Sequence, residues 1–187
     1  MRASFKVAYE KAAEVLSRLS YDGKDMVDTS MVKDVVEDLT GTTIQVGQVS
    51  FNEIDKKLEN YGAMLKYSHK DKKAIIVLNS DKDAVFRRFS LVHELGHLIT
   101  GKQLSMDDGF ALSAHINYKI TAISDEACDI NEVLENEQIA NIFALLVLMP
   151  GNAFVEKFDE YENISEVATF FGVQKEAALS RIGLGAF

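Results

Sequence analysis

Apolar positions near the start of the chain recur at the three-to-four spacing of a helix. In FKVAYEKAAEVLSRL (5–19), Val7, Ala12, Val15 and Leu19 fall on one side, which predicts an amphipathic helix. TSMVKDVVEDLTG (29–41) predicts a second, with Thr29 or Ser30 as its cap and Gly41 after its end. The period then shortens. TTIQV (42–46) predicts a short strand, and GAMLKYS and KKAIIVLNS, separated by the turn-like HKDK, predict a hairpin. Asn79, Ser80 and Asp81 offer N-caps to an apolar helix of some five turns that ends near Gly101.

FALSAHINYKITA (110–122) alternates: Phe110, Leu112, Ala114, Ile116, Tyr118 and Ile120 point one way, and the intervening residues are mostly polar. That pattern predicts a half-buried strand. Helical spacing returns over 132–149 and stops where Met149 meets Pro150, the single proline. The tail, ISEVATFFGVQKEAALSRIGLG, predicts two short helices split near Gly172. The order reads as α+β, with a helical segment over 1–50, a core over 51–150 and a helical tail over 151–187, forming one compact unit.

Composition narrows the class. With 47% apolar and 26% charged residues, the chain is expected to pack a core. Cys128 is the only cysteine, so no internal disulfide forms. The first twenty residues carry charges throughout and lack a signal-peptide core, and no apolar run reaches membrane-span length. A soluble, cytoplasmic protein with no membrane contact is expected. A net charge of −9 argues against a nonspecific nucleic-acid binder, which needs a basic surface.

The chemistry concentrates in FSLVHELGHLITG (89–101). His93 and His97 stand one helical turn apart on one face and can offer two imidazole nitrogens to a tetrahedral ion, the geometry zinc prefers. Glu94, beside that face, is the general base: in such sites it accepts a proton from water at the metal as that water attacks a carbonyl. Gly96 has no side chain to obstruct a second helix. A catalytic ion needs a third protein ligand and an open position. A histidine six residues after His97 would serve, but Gln103 stands there. Elsewhere the histidines are His69 and His115.

A glutamate from a later helix is the other solution. In VLENEQIANIFALLVLMP, Glu137, Ala140, Asn141, Ala144, Leu145 and Leu148 form one stripe, apolar except at Glu137 and Asn141. A carboxylate on a buried stripe is costly unless it is paired or metal-bound. Glu137 is therefore the expected third ligand, with Glu135 as the fallback. Asn141 is placed one turn on to hydrogen-bond a ligand histidine.

RFSLVHELGHLI (88–99) followed by ENEQIANIFALLVLMP (135–150) resembles the ImmA/IrrE family of metallopeptidases. The matching elements are Arg88-Phe89, His93-Glu94-His97, Glu137, Ala140-Asn141, Phe143-Ala144 and Leu148-Met149-Pro150, and the resemblance spans roughly 60–184. Two departures stand out. Ile139 occupies the place of a second glutamate, and forty residues separate His97 from Glu137, the excess lying around 110–122. The resemblance implies a zincin-like domain: an HExxH helix packed on a small β-sheet, followed by short C-terminal helices. It further implies a zinc-dependent endopeptidase, with manganese or iron also admissible in the site. The implied substrate is a partner protein, a helix-turn-helix transcriptional repressor, which makes the chain an anti-repressor of a phage or other mobile element. Ending at Phe187, the chain resembles the short type without a sensory domain.

Tyr118, His115 and Tyr67 are candidates for stabilising the oxyanion, and an exposed strand edge within 62–79 is a candidate for pairing with an extended substrate. The tail is similar to a helix-turn-helix, but Glu166, Lys175, Glu176 and Arg181 cancel in charge, so DNA binding is not expected. The alternatives to proteolysis are a repressor-binding protein that acts without cleavage around a structural metal, and a toxin-antitoxin module.

Overall fold

The computed structural model describes residues 5–101, 110–113, 130–161 and 163–185, with backbone alone over 110–113 and 130–133. Helices α1 (Lys6–Leu19) and α2 (Thr29–Thr40) come first, burying Ala8, Ala12 and Val15 of the one and Val32 and Val36 of the other. Asp28 caps α2 in place of Thr29 or Ser30. Its extended backbone aims the carboxylate at the N–H of Ser30, 2.8 Å away, which the first helical turn leaves without an internal acceptor.

Strand β1 (Thr43–Val49) runs three residues beyond the predicted TTIQV. The short helix α3 (Phe51–Ile54) and a single 3-10 turn (Lys56–Leu58) follow, neither marked by periodicity. β2 (Ala63–Ser68) and β3 (Lys73–Asn79) make the predicted hairpin. Helix α4 (Ala84–Thr100) starts later than Asn79, Ser80 or Asp81 would place it, and the Asn79 and Asp81 side chains are engaged elsewhere. Asn79 is buried, donating to the Tyr61 carbonyl at 2.8 Å, while Asp81 accepts from the N–H of Asn52 at 3.0 Å. Both tie down the connection after β1. The cap of α4 is Asp83, whose carboxylate accepts from the N–H of Phe86 at 2.7 Å. Gly101 ends the helix in the left-handed conformation, φ 64°, which costs glycine little.

β4 is described over Phe110–Ser113, and the remainder of the predicted strand, 114–122, lies outside the described residues. Helix α5 (Ile130–Leu148) ends before Pro150 as predicted. Beyond it come α6 (Gly151–Tyr161), which the sequence pattern did not assign, then α7 (Ile164–Phe171) and α8 (Lys175–Gly183) on either side of Gly172.

The sheet order is β1-β3-β2-β4, with β1 parallel to β3 and the other neighbours antiparallel. This corrects one expectation: among the described residues β3 and Ala63–Lys66 of β2 present no open edge, because β3 is flanked by β1 and β2, and that part of β2 by β3 and β4. One face of the sheet, with Ile44, Ala63, Leu65, Ala74, Ile76 and Leu78 buried, packs into the same core as Val92, Leu95 and Ile99 of α4. α5 crosses α4, α1 packs on α5, and α2 packs on α4. The two helices carrying the candidate ligands thus occupy the centre of the helical layer. No single described helix is long and apolar enough to cross a membrane.

Asp83→Ala should lower stability by about 1 kcal/mol, the usual worth of an N-cap. At this chain length that means a drop of roughly 2–4 °C in melting temperature, and Asp83→Asn should recover most of it. A thermal melt of the metal-free protein checks both.

Candidate metal centre

Eight consecutive residues of α4, Val92 to Ile99, are buried, so the central helix carries His93, Glu94 and His97 away from solvent. Helical spacing stacks the two imidazoles on one face, with ring centroids 4.6 Å apart and planes at 84°. The partner comes from α5, where Glu137 is 5% exposed.

Three polar side chains converge. His93 Nε2 lies 2.9 Å from His97 Nε2, 3.2 Å from Glu137 Oε2, and His97 Nε2 lies 3.3 Å from Glu137 Oε1. Four residues after Glu137, Asn141 places its Oδ1 2.9 Å from His93 Nδ1. With that oxygen accepting, Nδ1 carries the proton and Nε2 is left with a lone pair facing the other two atoms. Two imidazole lone pairs and a carboxylate facing one another in a buried space repel unless something positive sits among them. A single proton bridges one pair, whereas a cation satisfies all three.

The spacing fits such a cation. Bonds of about 2.0–2.1 Å arranged tetrahedrally put donor atoms roughly 3.3–3.4 Å apart, and the observed separations are 2.9–3.3 Å. One imidazole, a second imidazole and a carboxylate form a donor set suited to zinc and to other divalent transition metals. His93, His97 and Glu137 are so positioned that each offers one ligand atom to a common ion. Burial pushes the Glu137 carboxyl up, but positive charge and hydrogen bonding at the two Nε2 atoms, supplied by protons there and taken over by a cation when those nitrogens are unprotonated, outweigh it. The group is held well below the ordinary carboxylate range, in the anionic form that ligation requires.

The close approach of the two helices depends on Gly96. A methyl group there would stand 3.0 Å from Cδ1 of Phe143 and 3.2 Å from both Cα and O of Ala140. The small residues at 96 and 140 therefore let the backbones come near enough for a carboxylate on α5 to reach the imidazoles on α4.

Among the described residues, the cluster that could hold a metal is His93, His97 and Glu137. Glu135 is half-buried and does not join it. Tyr67 is half-buried on β2, its ring edge-on to exposed His69 at 4.6 Å. His115 and Tyr118, and Gln103, lie outside the described residues.

Two arginines that sequence reasoning passed over hold the framework. Arg88 of α4 donates to the Val27 carbonyl, fastening the α1–α2 connection to the helix that carries the histidines. Arg181 is fully buried: Nε–H donates to the Met149 carbonyl at 3.0 Å, and the guanidinium lies 5.2 Å from the Phe154 ring centroid. It locks α8 to the C-terminal end of α5, and its charge is not presented on any surface that could meet a phosphate. An arginine in a helix-turn-helix-like tail reads as exposed, and only packing shows the reverse.

Residues 49–183 match the family described as the IrrE N-terminal-like domain, a peptidase family. No curated protein matches the chain. Among solved structures, a Mycobacterium tuberculosis transcriptional regulator shares the fold, with a TM-score of 0.55 and 17% identity over 98% of this chain and 47% of that one. The chain thus spans about half the length of that structure.

Gly96→Ala should weaken zinc binding at least about tenfold by forcing the helices apart, a distortion that costs roughly 1–3 kcal/mol in packed cores. Gly183→Ala, where nothing lies within 4 Å, should leave binding unchanged. Competition titration against a zinc chelator measures both. Asn141→Ala, which frees the His93 ring, should lower affinity by about 10–100-fold in the same titration.

Proposed function

The chain belongs to the IrrE N-terminal-like domain family of peptidases, and from that membership we propose that it is a zinc-dependent endopeptidase acting in the cytoplasm on a partner protein. The observation that supports this reading is the buried convergence of His93, His97 and Glu137 with Glu94 one residue along the same helix. His93, His97 and Glu137 hold the ion, and Asn141 keeps the His93 ring in the orientation and tautomer that ligation needs. A divalent ion bound there supplies Lewis acidity, polarising a substrate carbonyl and acidifying water. Manganese or iron would supply the same chemistry.

Glu94 does the proton work. Its carboxylate takes a proton from the attacking water and returns it to the leaving amine nitrogen as the peptide bond breaks. A fully buried position keeps bulk water from competing for that proton. Tyr67, His115 and Tyr118 are the candidates for steadying the oxyanion.

The substrate we favour is a helix-turn-helix transcriptional repressor, so that cleavage releases the genes it holds silent and the chain serves as an anti-repressor of a mobile element. The support for this is the resemblance carried by residues 88–99 and 135–150.

Glu94→Gln should retain one bound metal per chain and lose about 10²–10⁴-fold in cleavage rate, the range of a general base. The assay incubates each protein with the repressor encoded beside its gene and follows fragments by mass spectrometry. Fragments from the unsubstituted protein alone support the proposal. An intact repressor bound equally by both proteins would favour inhibition by binding and contradict it.

A further inference from the structure

The face of the sheet turned away from the helices carries a charge pattern opposite to that of the whole chain. Strands β1, β2 and β3 contain no acidic residue, and their charged side chains are Lys66 and Lys73. The β2–β3 turn adds Lys70 and Lys72. Asp71, the acid within the turn, accepts from Ser68 Oγ–H at 3.0 Å, and the four lysines outnumber it. Among the described residues, Lys70, Lys72 and Lys73 form no ion pair, although acids outnumber bases 29 to 20 in the chain.

Beside this cationic end the same face is apolar. Ile75, 43% exposed at the middle of an interior strand, sits opposite Lys66, while half-buried Met64 and Val77 face each other one step further on. Val49, 39% exposed, closes the row across Asn79. An open β-branched stripe bordered by lysines on a stiff hairpin is complementary to an apolar stripe bordered by carboxylates.

We propose that this outer sheet face docks a protein partner through an amphipathic helix whose apolar stripe is flanked by aspartate and glutamate. A helix is the element that ordinarily covers a sheet face, and the acid flanks meet Lys70, Lys72 and Lys73. A second copy of this chain is a poor occupant, since a two-fold axis through the face sets lysines against lysines. DNA is a poor one too: its phosphates have no use for Ile75 and Val77, and the net charge of −9 repels a long polyanion.

The test uses the full-length, zinc-loaded Glu94→Gln variant, so that the probe is bound and not cut and the result stands apart from the peptidase reading. The probes are a labelled helical peptide of about 18 residues with a leucine stripe flanked by glutamates, its lysine-flanked counterpart, and a DNA duplex of similar length. Fluorescence anisotropy should show the glutamate peptide binding at least roughly tenfold more tightly than the other two. Its affinity should fall as salt rises from about 0.05 to 0.5 M. Ile75→Asp, and separately the triple change Lys70→Glu, Lys72→Glu, Lys73→Glu, should each weaken it at least about tenfold; all four positions are exposed, so the fold tolerates the changes. Equal binding of both peptides, tighter binding of the duplex, or indifference to Ile75→Asp would overturn the proposal.

Discussion

The site rests on a backbone approach. A carboxylate and two imidazoles on different helices meet within 3.3 Å because nothing larger than hydrogen stands at position 96 where α4 passes Ala140 of α5. A methyl group there would already press on main-chain atoms, which cannot swing aside as a side-chain tip can. The separation of the two helices, and with it the size of the space between the three donor atoms, is thus set by the smallest residue on the helix rather than by the ligands themselves.

Everything around the crossing serves to hold it. α4 is stopped at both ends, by the Asp83 carboxylate and by left-handed Gly101, so the histidines sit at a defined height along it. Its other faces are occupied by the sheet and by α2, while α1 packs against α5. Arg88 and Arg181 fasten the flanking segments, each by spending a buried or half-buried charge on a main-chain carbonyl. The result is a dry surrounding in which a carboxylate stays anionic against the cost of burial when positive charge is held beside it. The same dryness makes a bound cation an efficient polariser of whatever carbonyl reaches it.

The long helices were legible because periodicity is a strong signal over long segments, as from Val7 to Leu19 and in the apolar run ending at Pro150, and the hairpin because the turn-like HKDK separates two apolar runs. So was the meeting of His93, His97 and Glu137, since a carboxylate at the head of an apolar stripe has to be paid for by a partner. Caps were misplaced by a residue or more. Thr29, Asn79 and Asp81 have capping chemistry as good as that of Asp28 and Asp83, and only the tertiary fold shows that Asn79 and Asp81 are needed by the loop after β1. Strand order is a non-local property, so the expected free edge within 62–79 could not be tested against the parallel arrival of β1 or the addition of β4. Arg181 was unreadable for a related reason: its partners, Met149 and Phe154, lie far back in the chain.

The claim on which the rest depends is that one divalent ion is held by two imidazole nitrogens and one carboxylate. X-ray absorption at the zinc edge of the loaded protein tests it without relying on activity. The account predicts a four-coordinate ion whose nearest neighbours are nitrogen and oxygen only, at about 2.0–2.1 Å, with the multiple-scattering signature of two imidazoles. A sulfur neighbour at about 2.3 Å, which would bring Cys128 into the coordination, or a six-coordinate all-oxygen shell would contradict it.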